Sequence, residues 1–174
     1  MILIDVEGGG QIAVADDLPE ASYAATGRLT ATRPAGQISA GPARVVVEVL
    51  RRFGGHAPRA LLGGQFTPSA GASTSFEVTY AADSDHSSCP SMLWNQAYAA
   101  GLAAEFAPAV LDGLLEEAGA LPAGVLLVDR AGIDEVEASE WVFRQAAVML
   151  RGALSATLRR ADLEAEIRSL AEKW

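Results

Sequence analysis

The chain of 174 residues is poor in the side chains that cross-link small proteins or bind metals. It has one cysteine, Cys89, and two histidines, His56 and His86. A single cysteine excludes a disulfide within the chain and a cysteine-based zinc site, and two histidines are too few for a histidine-rich metal centre. We therefore expect no metal and no cofactor.

Long apolar runs and phosphate-binding motifs are also missing. No uncharged apolar stretch reaches the roughly 18 residues that indicate a membrane span. The opening sequence MILIDVE carries an acid where a secretory signal carries basic residues. There is no G-x-x-x-x-G-K-[ST] loop, so we expect no ATP or GTP hydrolysis by that machinery. These absences predict a cytoplasmic protein that binds neither a membrane nor a nucleotide.

Positive charge is scarce. Thirteen basic residues, of which only Lys173 is a lysine, stand against 22 acidic ones and give a net charge of −9. Residues 101–140 contain nine acids and a single basic residue, Arg130. A chain with this balance cannot hold nucleic acid by general neutralisation of phosphates. Only a local basic face could do so.

Half of the residues are apolar, which is enough for a buried core. The clearest strand is residues 75–82, where Phe76, Val78 and Tyr80 alternate with polar side chains. Shorter patterns rich in strand-forming residues occur in several other places. They predict strands at residues 1–6, 11–15, 28–33 and 125–128.

Residues 42–53 combine a proline at a first-turn position with an apolar stripe and a following Gly54-Gly55, which favours a helix. Three consecutive valines make a strand a serious rival there. Residues 61–75 are rich in glycine, proline and small polar side chains, which indicates a loop. Residues 102–118 have the spacing of a helix.

The C-terminal third is helical in pattern. Ser139 is placed to begin a long helix, and Asp162 is placed to cap a further one. Whether residues 139–174 form one helix or two stays open. Strands followed by alternating helices and strands predict an α+β fold, a small mixed sheet covered by helices.

The densest polar cluster is the segment D-S-D-H-S-S-C at residues 83–89. Asp83, Asp85, His86 and Cys89 offer carboxylates, an imidazole and a thiol, so a metal or nucleophile site is one interpretation. Neighbouring side chains on an extended loop point in different directions, however, and a catalytic triad needs partners from separate segments. A solvated loop with a partly buried cysteine is the favoured interpretation.

Two stretches resemble domain IV of translation elongation factor G. Residues 94–118 read W-N-Q-A-Y-A-A-G-L-A-A-E-F-A-P-A-V-L-D-G-L-L-E-E-A, where the family reads approximately V-N-x-I-V-G-G-x-I-P-x-E-Y-I-P-A-V-x-x-G-I-x-E. The positions in register are Asn95, Leu102, Glu105, Phe106, Pro108, Ala109, Val110, Gly113, Leu114 and Glu116. Residues 125–147 are similar to that domain's last strand, tip loop and helix. There the matches are Glu135, Val136, Glu137, Ser139, Glu140, Phe143 and Ala146.

The resemblance covers about residues 73–155 and lacks the family's GTPase domain. It implies a four-stranded sheet with two helices and a left-handed β-α-β crossover. It also implies a strand at residues 92–98, where the alanine-rich sequence by itself passes for a helix. The family's tip loop reaches the small ribosomal subunit, and its counterpart here would present Arg130, Asp134, Glu135 and Glu137. Such an acidic tip repels phosphate.

With this resemblance the chain divides into three parts. Residues 1–58 are an N-terminal β/α extension packed on the core, residues 59–155 are the domain IV-like core, and residues 156–174 are a C-terminal helix. That helix carries an apolar seam that must be covered by the protein's own sheet or by a second copy. The seam consists of Leu163, Ile167, Leu170 and Trp174. Balanced flanking charges favour a homodimer through this helix.

Three functions are compatible with these patterns. The first is a non-enzymatic, translation-factor-like protein that binds the ribosome or RNA through a local face. The second is a self-associating protein-interaction module that reuses the fold with an acidic surface. The third is a small enzyme that uses the acidic tip or the 83–89 loop.

Overall fold

The computed structural model describes residues 1–37, 40–81, 87–116 and 119–174. Within these ranges it has nine strands and three α-helices, which confirms the α+β prediction. The strands are β1 (Ile2–Val6), β2 (Gly10–Ala15), β3 (Gly27–Pro34), β4 (Ala43–Arg51), β5 (Arg59–Pro68), β6 (Ser73–Tyr80), β7 (Ser88–Cys89), β8 (Tyr98–Ala100) and β9 (Gly124–Ile133). The helices are α1 (Ala107–Glu116), α2 (Glu140–Arg159) and α3 (Leu163–Ala171), and a short 3-10 helix spans Pro19–Ala21.

The described strands form one sheet with the main order β1-β2-β4-β5-β9-β6-β3. β8 pairs with the C-terminal end of β9, and β7 pairs with β8. Among these strands every pairing is antiparallel except β6 with β9, which are parallel and joined by a connection that contains α1. Strands from the first 58 residues therefore share a sheet with the later ones, and β1 and β3 are the edge strands at the two ends of its main order.

The main core lies between one face of this sheet and the helices. Val45, Val47 and Val49 of β4 belong to this core, together with the buried side of α2. The rings of Phe106 and Phe143 stack with their centroids 4.9 Å apart, which ties the start of α1 to α2. The α-helices cover this face only. The other face of the sheet carries polar side chains and is covered by loops.

Both predicted helix caps are confirmed, and they settle the C-terminal third as two helices. Ser139 Oγ accepts a hydrogen bond from Val142 N at 3.3 Å, and Asp162 Oδ1 accepts one from Ala165 N at 3.1 Å. Between them α2 ends at Arg159, and the left-handed backbone of the next residue, Arg160 (φ 54°), stops the helix. The seam of α3 packs on α2 and β1, with Ile167 and Leu170 buried. A dimer through this helix would have to use its exposed, charged side.

The prediction of a helix at residues 42–53 is wrong, because Ala43–Arg51 is β4, an interior strand of the sheet. Its neighbours β2 and β5 lie on either side, and every side chain from Val45 to Leu50 is buried. A strand covered on both faces shows a continuous apolar run rather than alternation. The β-branched valines then favour the strand over a helix, in which their first side-chain torsion is restricted.

The prediction of a loop at residues 61–75 is also wrong. β5 runs from Arg59 to Pro68, and only residues 69–72 connect it to β6. The glycines that indicate a loop lie at a β-bulge, where the β5–β9 register shifts between Gly63 and Gly64. A Cβ on Gly63 would lie 2.7 Å from the Cβ of Arg130. Glycine is present here because two strands approach closely, not because the chain turns.

The strand implied for residues 92–98 is present only at its end, since β8 begins at Tyr98. Ser91 Oγ accepts hydrogen bonds from the N–H groups of Leu93 at 3.2 Å and Trp94 at 2.8 Å. This serine-based turn bends the backbone away from an extended path. The helix predicted from residue 102 starts later, at Ala107.

Candidate interaction surface

The face of the sheet opposite the helices carries buried charged side chains. Glu48 of β4, Arg59 of β5 and Asp134 after β9 are all under 8% exposed. They are covered by the segment at residues 88–100 and by the 3-10 helix. Buried charges are tolerated only when they are paired and hydrogen-bonded, so each must have found partners.

Arg59 uses its guanidinium to join three segments. Its Nε donates to Asp134 Oδ2 at 2.6 Å, and its Nη1 donates to the carbonyl of Gln96 at 2.7 Å. The guanidinium also lies over the Tyr98 ring, with Cζ 4.2 Å from the ring centroid. One side chain on β5 thus holds both the loop after β9 and the loop before β8.

Glu48 anchors the same covering segment from the neighbouring strand. Its carboxylate accepts hydrogen bonds from Ser91 Oγ at 2.5 Å, from Met92 N at 2.5 Å and from Tyr98 Oη at 2.8 Å. Burial raises the pKa of the Tyr98 phenol and the negative Glu48 raises it further, so the hydroxyl stays protonated and donates. The loop at residues 91–98 is therefore fixed to the sheet at both of its ends.

Asp134 orders the turn that follows β9. Its Oδ1 accepts hydrogen bonds from the backbone N–H groups of Val136 at 3.0 Å and Glu137 at 3.2 Å. Burial alone would raise the pKa of this carboxyl, but the Arg59 hydrogen bond and these two backbone donors outweigh burial and lower it. The carboxylate is thus held ionised, and the turn is held in one shape.

A pH dependence follows from this lowered pKa. The stabilisation from Asp134 is complete above its unfolded pKa of about 3.9 and is lost as the pH falls through the lower folded value. We therefore expect the difference in unfolding free energy between wild type and Asp134→Asn to shrink below about pH 4. Urea unfolding at several pH values measures it. A difference that stays constant down to the acid transition would contradict this role.

The two fixed loops and the β4–β5 hairpin meet at one end of the sheet, where large apolar side chains are exposed. Phe53 is 54% exposed, Val136 84% and Trp141 40%. These three side chains, with His56 and Glu137, line an open depression of about 350 Å³. We call this set of five residues the aromatic end.

Trp94 extends the aromatic end toward the other face of the sheet. It is 37% exposed, and two guanidinium groups lie near its ring, those of Arg52 at 5.2 Å and Arg59 at 5.7 Å from the ring centroid. Trp94 and Val136 lie in the two loops that the buried network fixes, while Phe53 lies in the β4–β5 hairpin and Trp141 in the first turn of α2. A rigid, exposed apolar patch with a polar rim is typical of an interaction site.

The structure separates the tip residues that the sequence groups together. Asp134, Glu135 and Glu137 share the turn after β9, with Asp134 buried and Glu135 exposed. Arg130 lies earlier, within β9, on the loop-covered face. It pairs with Asp129 at 3.1 Å and with Asp17 at 3.5 Å, so its charge is already engaged.

The alternative site in the 83–89 loop lies mostly outside the described residues, since Asp83, Asp85 and His86 are not among them. Cys89 is described and is fully buried in β7. Burial, with smaller contributions from the negative charges of Glu48 and Glu20, raises the pKa of its thiol to about 12. A protonated, buried thiol is a poor nucleophile.

We therefore expect Cys89 to be unreactive toward an aromatic disulfide reagent in the native protein and to react fully once urea unfolds it. Absorbance of the released thiolate measures both rates. A native rate close to that of free cysteine would show that the thiol is accessible after all.

Sequence reasoning missed the residues that build this surface. Glu48 is the one charged residue in the apolar run at residues 45–50. A charged side chain in such a run indicates a buried polar group that needs partners, and this signal was available in the sequence. Phe53 is one of the apolar residues whose spacing favours a helix at residues 42–53, so the pattern gives it a place in the core. Arg59 gave no signal, because its partners are distant in sequence and meet only when the sheet forms.

Comparisons with known proteins add no family to this description. No protein-family model matches the chain. No curated protein matches its sequence either. The likeness to domain IV of elongation factor G therefore rests on the residues quoted above. None of the helices in the described ranges combines the length and the apolar composition that crossing a membrane requires.

Proposed function

We propose that the protein is a non-enzymatic interaction module that docks a protein partner at the aromatic end. The observation that carries this proposal is the exposure of Phe53, Val136 and Trp141 around one depression. Aromatic side chains are enriched among the residues that dominate binding energy at interfaces. The Arg59–Asp134 pair supports the proposal, because a prearranged surface loses little conformational freedom on binding.

The charges around the aromatic end define the partner's chemistry. Glu135, Glu137 and Glu140 stand on the turn and the first residue of α2, and His56 contacts Glu137 at 3.8 Å. The chain as a whole carries −9. A complementary partner presents an apolar side chain for the depression, flanked by lysine or arginine that faces the acidic rim. We assign the site to a segment of this kind.

Peptide binding tests this assignment. A pair of synthetic peptides would share a leucine-tryptophan anchor and differ only in lysine or glutamate flanks, and affinities would be measured by isothermal titration calorimetry. We expect the lysine-flanked peptide to bind at least about tenfold more tightly, a difference of about 1.4 kcal/mol. The double variant Phe53→Ala/Trp141→Ala should lose this binding.

The exposed Thr32 of β3 provides the control, since Thr32→Ala changes a surface residue at a sheet edge away from the aromatic end. It should bind like the wild type. Equal affinity for both peptides, or binding that survives the double variant, would overturn the proposed site.

A second candidate function is binding to the ribosome or RNA, as domain IV of elongation factor G does. Its support is the parallel β6–β9 pair connected through α1, where the resemblance expects a β-α-β crossover. We propose this unit as the counterpart of that crossover. Because Arg130 is paired with Asp17 and Asp129, few phosphate contacts are available and the salt dependence should be shallow.

Cosedimentation with small ribosomal subunits distinguishes the two functions. If Arg130 contacts RNA from its place in β9, Arg130→Ala should weaken cosedimentation and nuclease treatment should remove it. Unchanged cosedimentation of Arg130→Ala would remove Arg130 from the translation-factor interpretation.

A further inference from the structure

The two edges of the sheet differ in how they are protected. The outer strand β3 carries Arg28, Arg33 and Pro34, and most of its exposed side chains are polar. Charged side chains and proline on an edge strand discourage pairing with another chain. The opposite edge, β1, has a single charged residue, Asp5, and no proline.

β1 also exposes apolar side chains. Leu3 is 58% exposed, and Met1 just before the strand is 77% exposed. In the described part of the chain β1 pairs with β2 alone, so its outer row of N–H and C=O groups meets no further strand there. An unprotected apolar edge is the feature that natural sheets usually avoid unless something pairs with it.

We propose that β1 pairs antiparallel with β1 of a second copy of this chain, about a twofold axis that passes by Leu3. The protein is then a dimer with one sheet continuous across both copies. About a twofold axis each copy contributes the same surface to the interface. One exposed strand per chain is therefore enough to form both sides of the contact.

The side chains of β1 fit this register. With Leu3 opposite the second copy's Leu3, the two exposed leucines cover each other on the loop-covered face. Ile2 then stands opposite the second copy's Ile4, which extends the apolar helix-side core across the interface. Cross-strand apolar pairs of this kind stabilise a sheet.

Charge favours the antiparallel arrangement in a chain that carries −9. Asp5 falls opposite the second copy's Met1, which leaves the two Asp5 positions about 14 Å apart along the strands. A parallel pair in register would place them side by side, about 4.8 Å apart. The antiparallel register thus avoids the one repulsive contact that β1 could make.

The pairing closes at two copies. A head-to-tail contact of β1 with β3 would build an open fibre, but Pro34 has no N–H to donate and Arg28 and Arg33 flank the strand. On β1, Arg168 Nη1 donates to the carbonyl of Asp5 at 3.2 Å, which caps the strand away from the twofold axis. The part of β1 that remains open to pairing with a second copy therefore lies around Leu3.

Sedimentation of the untagged full chain tests the dimer. We expect wild type to sediment as a dimer, and Leu3→Lys to raise the dimer dissociation constant at least about tenfold, because a like charge then faces itself across the axis. Leu3 is exposed, so the variant should fold, and its circular dichroism checks this. Thr30→Lys, the matched change on β3, should leave the constant unchanged. A monomeric wild type, or equal effects of the two variants, would overturn the proposal.

Cross-linking tests the register independently. Leu3→Cys should form an intermolecular disulfide under mild oxidation, since directly opposed residues in neighbouring strands lie within disulfide reach. Asp5→Cys should not, because its own copy lies about 14 Å away. The buried Cys89 stays out of the reaction. Cross-linking through residue 5 but not residue 3 would contradict the proposed axis.

Discussion

Asp134→Ala is expected to lower the free energy of unfolding by about 3–5 kcal/mol. The substitution leaves the guanidinium of Arg59 buried without its carboxylate, and it also removes the acceptor for the N–H groups of Val136 and Glu137. Arg59 is only 1% exposed, so water cannot replace the lost partner without disturbing the cover. Urea unfolding followed by circular dichroism measures the change.

The exposed pair Arg144–Glu116 is the matched control. Its N–O distance is 3.0 Å, but its side chains are 49% and 45% exposed. Exposed ion pairs stabilise a protein by at most about 1 kcal/mol. Glu116→Ala should therefore lower the free energy of unfolding far less than Asp134→Ala. The double replacement Arg59→Met/Asp134→Leu should also lower the free energy of unfolding less than Asp134→Ala alone, because it leaves neither charge of this pair buried without its partner. If Asp134→Ala and Glu116→Ala lowered the free energy of unfolding by similar amounts, the buried network would not hold the covering loops.

Local signals in the sequence predicted the parts of the fold that local forces decide. Ser139 and Asp162 cap helices because their side-chain oxygens accept backbone hydrogen bonds a few residues ahead, which needs no distant partner. β6 followed from its alternation, since one of its faces packs on the core and the other is more polar.

The central strands could not be predicted in this way. β4 and β5 are buried on both faces, and so their sequences lose the alternation that identifies a strand. The glycines of β5 indicated a turn, but their small size serves the close approach of Arg130 and Val46 to Gly63. Both errors have one cause: the environment of these strands is set by segments far away in sequence.

The candidate site illustrates the same limit. The turn after β9 was singled out because of its acids, and it does border the aromatic end. The buried role of Asp134 depends on Arg59, which lies 75 residues earlier in the chain. Pairing across such a separation exists only once the sheet has formed, so sequence alone presented Asp134 as one more surface charge.

Gly113→Ala is expected to destabilise the protein although it replaces a poor helix former with the best one. In an open helix the change would gain about 1 kcal/mol. Here α1 crosses α2 at this glycine, and an added Cβ would lie 2.4 Å from the carbonyl oxygen of Arg144 and 2.9 Å from the Cβ of Ala147. The first of these contacts is with backbone, so no side-chain rotation relieves it.

The helices must instead separate by roughly 1 Å, which weakens the dispersion contacts along their whole crossing. Overpacking of this kind costs about 1–3 kcal/mol, and we expect the net loss in urea unfolding to fall in that range. Gly41→Ala is the control, because nothing lies within 4 Å of a Cβ there, and it should be neutral or slightly stabilising. If Gly113→Ala were as stable as Gly41→Ala, the α1–α2 crossing would be looser than the structure shows, and the stacked Phe106 and Phe143 would not fix the start of α1.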